Sequence, residues 1–448
     1  MTSLKTQAIR GIIWTVIGYG SSQGLRLVSN LILTRLLFPD LFGLMALVQT
    51  FLMGLHLFSD IGIRPSIIQN PRGDDPDFLN TAWTVQVLRG IALWLCCLVV
   101  AGPVATFYQN PQLAWLLPVI GLTTIFDGFT STAIASLNRH LEVAKLTRFE
   151  FAVQLISTFI MLIWAYYSHS IWALVGNSLV SGILRMIWSH HLGQTHPNRF
   201  AWDASAWKEI KKFGQWIFLS TAMTFLAGQV DRLILGRLFS LDLLGIYAIA
   251  FTLSDLPQAV IQAVSGNVIF PAISKQAHLP RPELRTKLLA QRQPLVFGTA
   301  LGLSLLICFG DLLIHLLYDH RYDRAAWMLP ILALGNWPRM LPLSTSPVLF
   351  AVGKPIYGAA GNFIKFLYMV VLLPLAFKTM GPFGAIVVIA FNDFPYYVIN
   401  SYGLWREGFS SLGQDLQATA ALLGIVALIL LARYELGFGY PLVDLYGG

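Results

Sequence analysis

Four polar residues follow one face of the first long apolar stretch of the chain. Tyr19, Gln23, Arg26 and Asn30 are spaced i, i+4, i+7 and i+11, so they share one side of a helix. A charged side chain in mid-stretch is costly in lipid and is expected to face water or neighbouring helices. Arginine stays charged, and its planar guanidinium binds phosphate or carboxylate oxygens in pairs. The stripe therefore predicts a binding site for an anionic substrate.

Other ionisable residues also interrupt apolar stretches, namely Arg89, Asp127, Asp231, Arg232 and Asp255. They either line a polar cavity together with Arg26 or form structural ion pairs, with Asp127 or Asp255 neutralising Arg26. For Asp231 and Arg232 the structural interpretation is favoured, because adjacent opposite charges often stabilise packing or a gate. A proton- or sodium-coupled transporter needs a carboxylate that changes exposure, and Asp127 and Asp255 are the candidates.

Signatures of catalysis are missing from the sequence. It contains no Gly-x-x-x-x-Gly-Lys-Ser/Thr phosphate loop, no His-Glu-x-x-His and no Gly-x-Ser-x-Gly. The cysteines, Cys96, Cys97 and Cys308, lack metal-ligand spacing. We therefore predict no catalytic residue, no metal site and no cofactor, and we expect a protein that is not an enzyme.

The elements that must position these residues are transmembrane helices. Hydrophobic residues make up 56% of the 448, charged residues only 12%, whereas soluble domains carry about 25% charged residues. Apolar stretches of roughly 20 residues, enough to cross the hydrocarbon core, recur along the chain. The predicted spans are 11–33, 41–61, 82–106, 113–137, 150–168, 171–189, 213–235, 244–266, 294–317, 327–352, 356–377, 384–403 and 416–433.

Loop charges predict the orientation of these spans. With the N-terminus in the cytoplasm, nineteen Lys and Arg residues are assigned to cytoplasmic loops, Arg185 and Arg292 among them, and six to outer loops, Arg433 among them. The positive-inside rule requires such a bias. The net charge of +8 is therefore a topology and lipid-surface signal rather than a sign of nucleic-acid binding. Asp60, Arg64 and Asp311 lie near span ends, where we expect them to reach the membrane interface.

The two halves of the chain repeat each other. Leu33–Leu36 and Asp40–Gly43 match Leu235–Leu238 and Asp242–Gly245, and a Trp-Leu-Pro segment at 114–122 matches 326–334. Six spans per half give parallel halves, a transporter architecture with the substrate site between them. We predict an all-α polytopic membrane protein with two parallel-topology six-helix lobes around a central cavity, plus an extra C-terminal helix. The predicted divisions are a lobe at 1–190, a basic interfacial linker at 191–212, a lobe at 213–405 and a C-terminal helix and tail at 406–448.

Three segments resemble a known family. The sequence Thr-Arg-Leu-Leu-Phe-Pro-Asp-Leu-Phe-Gly at 34–43, the Arg…Phe-Glu stretch at 137–150 and the segment 317–334 are similar to the polysaccharide transport flippases. These belong to the multidrug/oligosaccharidyl-lipid/polysaccharide exporter superfamily. The resemblance covers most of residues 5–405, and its motifs are diffuse.

The resemblance implies a bacterial inner-membrane protein that works by alternating access. Its substrate would be an undecaprenyl-pyrophosphate-linked oligosaccharide, moved to the periplasmic leaflet for O-antigen, capsule or exopolysaccharide synthesis. In such proteins a cationic cavity receives the pyrophosphate, and Arg26 is the residue that we carry over. Bilayer lipids, a polysaccharide polymerase and glycosyltransferases are the implied partners. The alternatives are a membrane-embedded polymerase or ligase, a multidrug exporter of the same superfamily, and a scaffold for glycan assembly.

Overall fold

A computed structural model describes residues 4–140, 142–193, 197–264 and 280–441. For residues 4–13, 15–17, 212–222, 224, 259–260, 263–264, 347 and 350–351 it describes the backbone alone. The predicted linker, the eighth predicted span and the C-terminal segment each extend partly outside the described residues.

The described residues fold into helices, with no strand among them. In chain order the helices are α1 (Leu4–Leu36), α2 (Pro39–Phe58), α3 (Ile63–Gln69), α4 (Pro76–Phe107), α5 (Leu113–Phe129), α6 (Ala133–Arg139), α7 (Val143–Ser168), α8 (Trp172–Ser189), α9 (Ala204–Leu238), α10 (Leu241–Ser254), α11 (Leu256–Val264), α12 (Arg281–Leu317), α13 (Arg324–Gly335), α14 (Trp337–Leu343), α15 (Ser346–Ala351), α16 (Ile356–Ala390), α17 (Phe394–Arg406) and α18 (Leu412–Glu435).

The chain divides into two compact units, residues 1–225 and 226–448. In unit 1, α4 packs along α5, α5 packs on α8, and α7 packs on both α1 and α8. In unit 2, α12 packs on α13 and α18, α13 on α10 and α16, and α16 on α17. The all-helical, two-unit architecture agrees with the predicted fold class.

Close approach of α4 and α5 depends on glycine. A Cβ atom on Gly90 would lie 2.4 Å from the carbonyl oxygen of Thr124, closer than any side chain tolerates. The Thr124 hydroxyl donates to the Gly90 carbonyl at 2.9 Å. Small residues of this kind allow membrane helices to pack backbone against backbone.

The outward faces of the helices are apolar. Val99, Tyr167 and Leu316 have 75%, 80% and 77% of their surface exposed, as expected of residues that face lipid rather than water. Among the described residues, six helical stretches are long and apolar enough to cross a membrane, or seven if α5 and α6 form one bent crossing. The total of thirteen spans stays a prediction.

Four spans that we predicted as continuous are broken, among them 384–403, where α16 ends at Ala390 and α17 begins at Phe394. The stretch 113–137 bends by 56° between α5 and α6, 244–266 breaks at Asp255, and 327–352 breaks after α13 and after α14. Polar side chains satisfy backbone groups at these breaks, which hydropathy alone does not reveal. Asn336, for example, donates from its amide nitrogen to the carbonyl of Ser254 at 2.7 Å.

Several charges lie elsewhere than predicted. Asp311 was expected at the interface and Arg433 in an outer loop, but both are buried and paired with each other. Arg292, assigned to a cytoplasmic loop, is fully buried and contacts Asp415 at 2.6 Å. Each of these charges has a partner on another helix, so no approach to the interface is needed.

The end of the predicted linker is helical. It forms the start of α9, where Ala206 and Ile210 are fully buried against Ile67 and Phe78 of unit 1. Helix α9 continues from there into the residues of unit 2.

Candidate functional site

Unit 1 contains a cavity of about 370 Å³ with a polar wall. Residues of α2, α3, α4, α5, α6 and α8 and of the connections between them line it. Its ionisable lining residues are His56, Asp60, Arg64, Arg89, Asp127 and Arg185. Within unit 1, therefore, three guanidinium groups from three helices converge on one space.

Arg89 is held in place by the end of α2. Its Nε donates to the Ser59 hydroxyl at 2.9 Å and its Nη2 donates to the His56 carbonyl at 2.6 Å. The last carbonyls of a helix lack intrahelical partners, so a cation that binds them stabilises that end. Arg89 thus joins α4 to α2 and lines the cavity.

Arg185 is oriented by a carboxylate behind it. Its Nη2 donates to Glu150 of α7 at 2.5 Å, and both side chains are about a third exposed. An arginine offers five donors, so the remaining donors are available to the cavity. Glu150 closes the motif stretch at 137–150, and this contact gives that motif residue a structural role.

Arg139, one of the two arginines of that stretch, serves the fold. Its Nη1 donates to the carbonyls of Ile67, Ile68 and Asn70 at 2.7–3.1 Å, which closes the end of α3. Arg139 also bonds Asp74 at 2.9 Å. It therefore fixes the short helix that presents Arg64.

Gln86 fixes the break between α5 and α6. Its amide nitrogen donates to the carbonyls of Asp127, Gly128 and Thr130 at 2.9, 3.1 and 2.9 Å. The last carbonyls of a helix lack their usual intrahelical donors, and Gln86 supplies donors to them where α5 stops. The break is thereby stabilised in a shape that places the Asp127 side chain in the cavity.

His56 and Asp127 face each other across this space. The distance from His56 Nε2 to Asp127 Oδ2 is 3.8 Å, and the two side chains are 33% and 46% exposed. That separation is too long for a good direct hydrogen bond, but close enough for strong charge interaction.

The predicted stripe of α1 lies outside this cavity. Arg26 and Tyr19 are exposed, and Gln23 and Asn30 are half-buried. Ser22, beside the stripe, hydrogen-bonds Gln154 of α7. Among the described residues no carboxylate pairs with Arg26, so the suggested ion pair with Asp127 is not formed, and whether Arg26 binds substrate stays a prediction.

Unit 2 holds a cluster of charged residues, and its open cavity of about 410 Å³ is instead apolar, lined by residues such as Trp337, Tyr368 and Leu422. Asp255 contacts Arg339 at 2.7 Å, Arg339 lies 3.5 Å from Asp393, and Asp393 contacts Lys365 at 2.6 Å. The enclosed space beside these groups is about 30 Å³. The coupling candidate Asp255 is therefore part of a chain of ion pairs.

Asp231 and Arg232 do not pair with each other. Buried Asp231 accepts a hydrogen bond from the Tyr247 hydroxyl at 2.6 Å. Arg232 lies over the Phe251 ring at 5.6 Å and donates to Gln229 at 3.2 Å. Both residues are engaged within unit 2, in keeping with a packing role.

The sequence-based reasoning found two members of the unit 1 cavity, Arg89 and Asp127. It missed His56 and assigned Arg185 to a loop, although Arg185 lies within α8. Asp60 and Arg64, which we expected at the membrane interface, line the cavity as well. A charge inside an apolar stretch was the available signal for Arg185. His56 lies within the predicted span 41–61 and carried the same signal, but only the packing of α2 on α5 places Asp127 beside it.

Comparison with known proteins defines the class. The family described as "Polysaccharide biosynthesis protein" matches residues 32–326. The succinoglycan biosynthesis transport protein ExoT of Rhizobium meliloti (strain 1021) is 24% identical over 314 residues, 67% of this chain and 62% of that protein. The chain belongs to the polysaccharide biosynthesis protein family.

Solved structures show the same fold. The lipid II flippase MurJ, in an inward closed conformation, has a TM-score of 0.76 at 15% identity, covering 94% of this chain and 93% of that one. A multidrug resistance MATE transporter of the MOP superfamily has a TM-score of 0.63 at 11% identity, covering 89% and 95%. The protein is therefore a multi-pass membrane protein with the exporter fold, and the resemblance drawn from residues 34–43 is confirmed.

Proposed function

We propose that this protein moves an undecaprenyl-pyrophosphate-linked oligosaccharide from the cytoplasmic to the periplasmic leaflet of the bacterial inner membrane. The observation that carries the proposal is the convergence of Arg64, Arg89 and Arg185 on one cavity within a chain of this family. Planar guanidinium groups bind phosphate and carboxylate oxygens in pairs. A lipid-linked glycan supplies such oxygens in its pyrophosphate or its acidic sugars.

The geometry disfavours the alternatives. A pocket for cationic drugs would carry an excess of carboxylates and aromatic rings, whereas three arginines and two aspartates line this one, with no Phe, Tyr or Trp among its described lining residues. A polymerase or ligase would need a catalytic constellation, and the ionisable groups of the cavity act as charge partners of one another. Alternating access and an N-terminus in the cytoplasm belong to the same proposal, as do a polymerase and glycosyltransferases as partners.

The experiment that tests the proposal is leaflet-resolved detection of lipid-linked oligosaccharide in a strain that lacks the gene. We expect glycan to accumulate on the cytoplasmic side and wild type to relieve this. Arg185→Ala and Arg26→Ala, at wild-type abundance, should each reduce periplasmic glycan, by about tenfold or more if a charge-assisted contact is lost. Arg199→Ala is the matched control, because its exposed side chain lies outside the cavity.

Each outcome has a clear meaning. Full rescue by Arg26→Ala with failure of Arg185→Ala would place the anion in the unit 1 cavity alone. Normal delivery of glycan to the periplasm in the deletion strain, with no second flippase encoded, would overturn the proposed function.

A further inference from the structure

We propose that the unit 1 cavity is a proton-linked anion site, in which His56 takes up one proton when an anionic group binds. The fixed charges around the cavity balance one another. Three guanidinium groups, Arg64, Arg89 and Arg185, face three carboxylates, the lining Asp60 and Asp127 and the Glu150 that holds Arg185. These six charges cancel, so the protonation state of His56 decides the net charge of the site.

The ionisable groups that line the cavity with His56 come from the end of its own helix and from four other helices. Asp60 follows its own helix α2, Arg64 lies on α3, Arg89 on α4, Asp127 on α5 and Arg185 on α8. The carboxylate of Asp127 is 3.8 Å from the His56 ring and offers a partner to the imidazolium. The His56 carbonyl is bonded by Arg89 at 2.6 Å, which fixes the backbone that carries the ring.

Histidine is the side chain suited to this role. It is the only residue type whose ordinary pKa places its charge change between about pH 5 and 8. Both His56 and Asp127 are partly exposed to the cavity, so water can deliver the proton. With His56 neutral the site has no net charge, and with His56 protonated it has a single positive charge.

Proton binding to His56 and anion binding to the cavity must affect each other equally. If a protonated His56 favours the anion, a bound anion must favour protonation of His56 by the same factor. We expect the affinity for an anion to rise about tenfold from pH 8 to pH 5.5, within the usual range for coupled sites. A static His56–Asp127 contact that serves packing alone would give no such dependence.

The inference rests on the proposed function only for the identity of the natural anion. A proton and the anionic group of a lipid-linked glycan would occupy the cavity together. Competition between a proton and a substrate, as an exchange mechanism requires, would produce the opposite pH dependence.

The test is isothermal titration of the purified full-length protein with sulfate, which does not titrate near neutral pH. Measurements in two buffers of different ionisation enthalpy give the number of protons taken up. We expect uptake that approaches one proton per anion and affinity that rises at lower pH. His56→Gln should show neither effect, and His191→Gln, at an exposed position outside the cavity, should behave as wild type.

A second variant is expected to gain affinity, which a folding defect could not produce. Asp127→Asn removes a negative charge from the site, so it should bind sulfate more tightly than wild type at pH 8. Absence of sulfate binding at either pH, or the same proton uptake in His56→Gln as in wild type, would overturn the inference. Loss of proton linkage in His56→Gln with normal glycan translocation would leave the proposed function standing. Proton uptake on sulfate binding by the purified protein, together with normal glycan translocation in the deletion strain, would overturn the proposed function. The proton-linked site would then still stand.

Discussion

At the scale of single residues, Arg72 illustrates how one side chain joins distant segments of unit 1. Its guanidinium donates to Asp75 at 2.8 Å and to Asp203 at 2.9 Å, and it lies 3.4 Å from Glu209. Asp203 directly precedes α9, and Glu209 lies near the start of that helix. Arg72 therefore holds the beginning of α9 against the loop between α3 and α4.

The Arg72–Asp203 ion pair predicts a specific pH dependence of stability. The hydrogen bond from Arg72, with help from Ser205, lowers the pKa of Asp203 to about 2, below the ordinary value of about 3.9. A lowered pKa means that the stabilisation is present above about pH 4 and is lost as the pH falls toward about 2. We expect Arg72→Gln to lower the melting temperature at pH 7, and the difference from wild type to shrink by pH 3.

Thermal unfolding at both pH values checks this prediction. Asp203→Asn is the matched variant, since it removes the same titration and leaves Arg72 in place. An equal difference between wild type and Arg72→Gln at pH 7 and pH 3 would contradict the assigned pair.

At the scale of elements, α18 is fastened to α12 by two buried ion pairs. Arg292 contacts Asp415 at 2.6 Å near one end, and Arg433 contacts Asp311 near the other, at 2.7 Å from Nη1. The partners follow in the same order along both helices and at nearly equal spacing. The two helices are therefore parallel, and the thirteenth predicted span is an integral part of unit 2.

Replacing one partner of a buried ion pair should lower the free energy of unfolding more than replacing both partners. Arg433→Leu leaves Asp311 buried and unpaired, for a loss of about 3–5 kcal/mol. The double variant Arg433→Leu with Asp311→Leu should recover much of that loss, because no buried charge remains. Thermal unfolding of the single and double variants measures the coupling.

An exposed pair provides the control for this cycle. Lys287 and Glu283 are 3.0 Å apart, both more than two-fifths exposed, and Lys287→Leu should change stability little. A double variant as unstable as the sum of its single variants would show that the Arg433–Asp311 pair does not act as a unit.

At the scale of the whole molecule, the repeat seen in the sequence reappears in the positions of the helix breaks. The break between α5 and α6 falls at 130–132, and the equivalent position in the second half is 342–344, where α14 ends. The surroundings differ, however. Unit 1 has an open arginine-lined cavity at its break, whereas unit 2 has the ion pairs of Asp255, Arg339, Asp393 and Lys365.

The parallel course of α12 and α18 predicts the location of the C-terminus. The basic segment before α12 is predicted to be cytoplasmic by its charge, so both helices would run outward and the end of α18 would be periplasmic. We expect alkaline phosphatase fused to the C-terminus to be active and green fluorescent protein fused there to be dark. Fluorescence of the second fusion would reverse the predicted orientation of α18.

The helical class, the apolar spans, the two repeated halves and the family could all be predicted from the chain alone. Hydropathy and charge bias are properties of local sequence that follow from how a helix meets lipid, and the repeat is found by comparing the two halves of the chain. Arg89 and Asp127 were found for the same reason, since a charge within an apolar stretch is visible without knowledge of its neighbours.

Tertiary structure alone decided which charges meet. His56 lies beside Asp127, Arg185 beside Glu150, and Arg433 beside Asp311, although more than thirty residues separate the members of each pair. Helix packing, and breaks such as the one that Gln86 stabilises, determine which charged residues become partners. Hydropathy predicts neither the packing nor the breaks. The sequence determined that the membrane helices carry charges, and only the packing of those helices decided that three arginines and a histidine share one cavity.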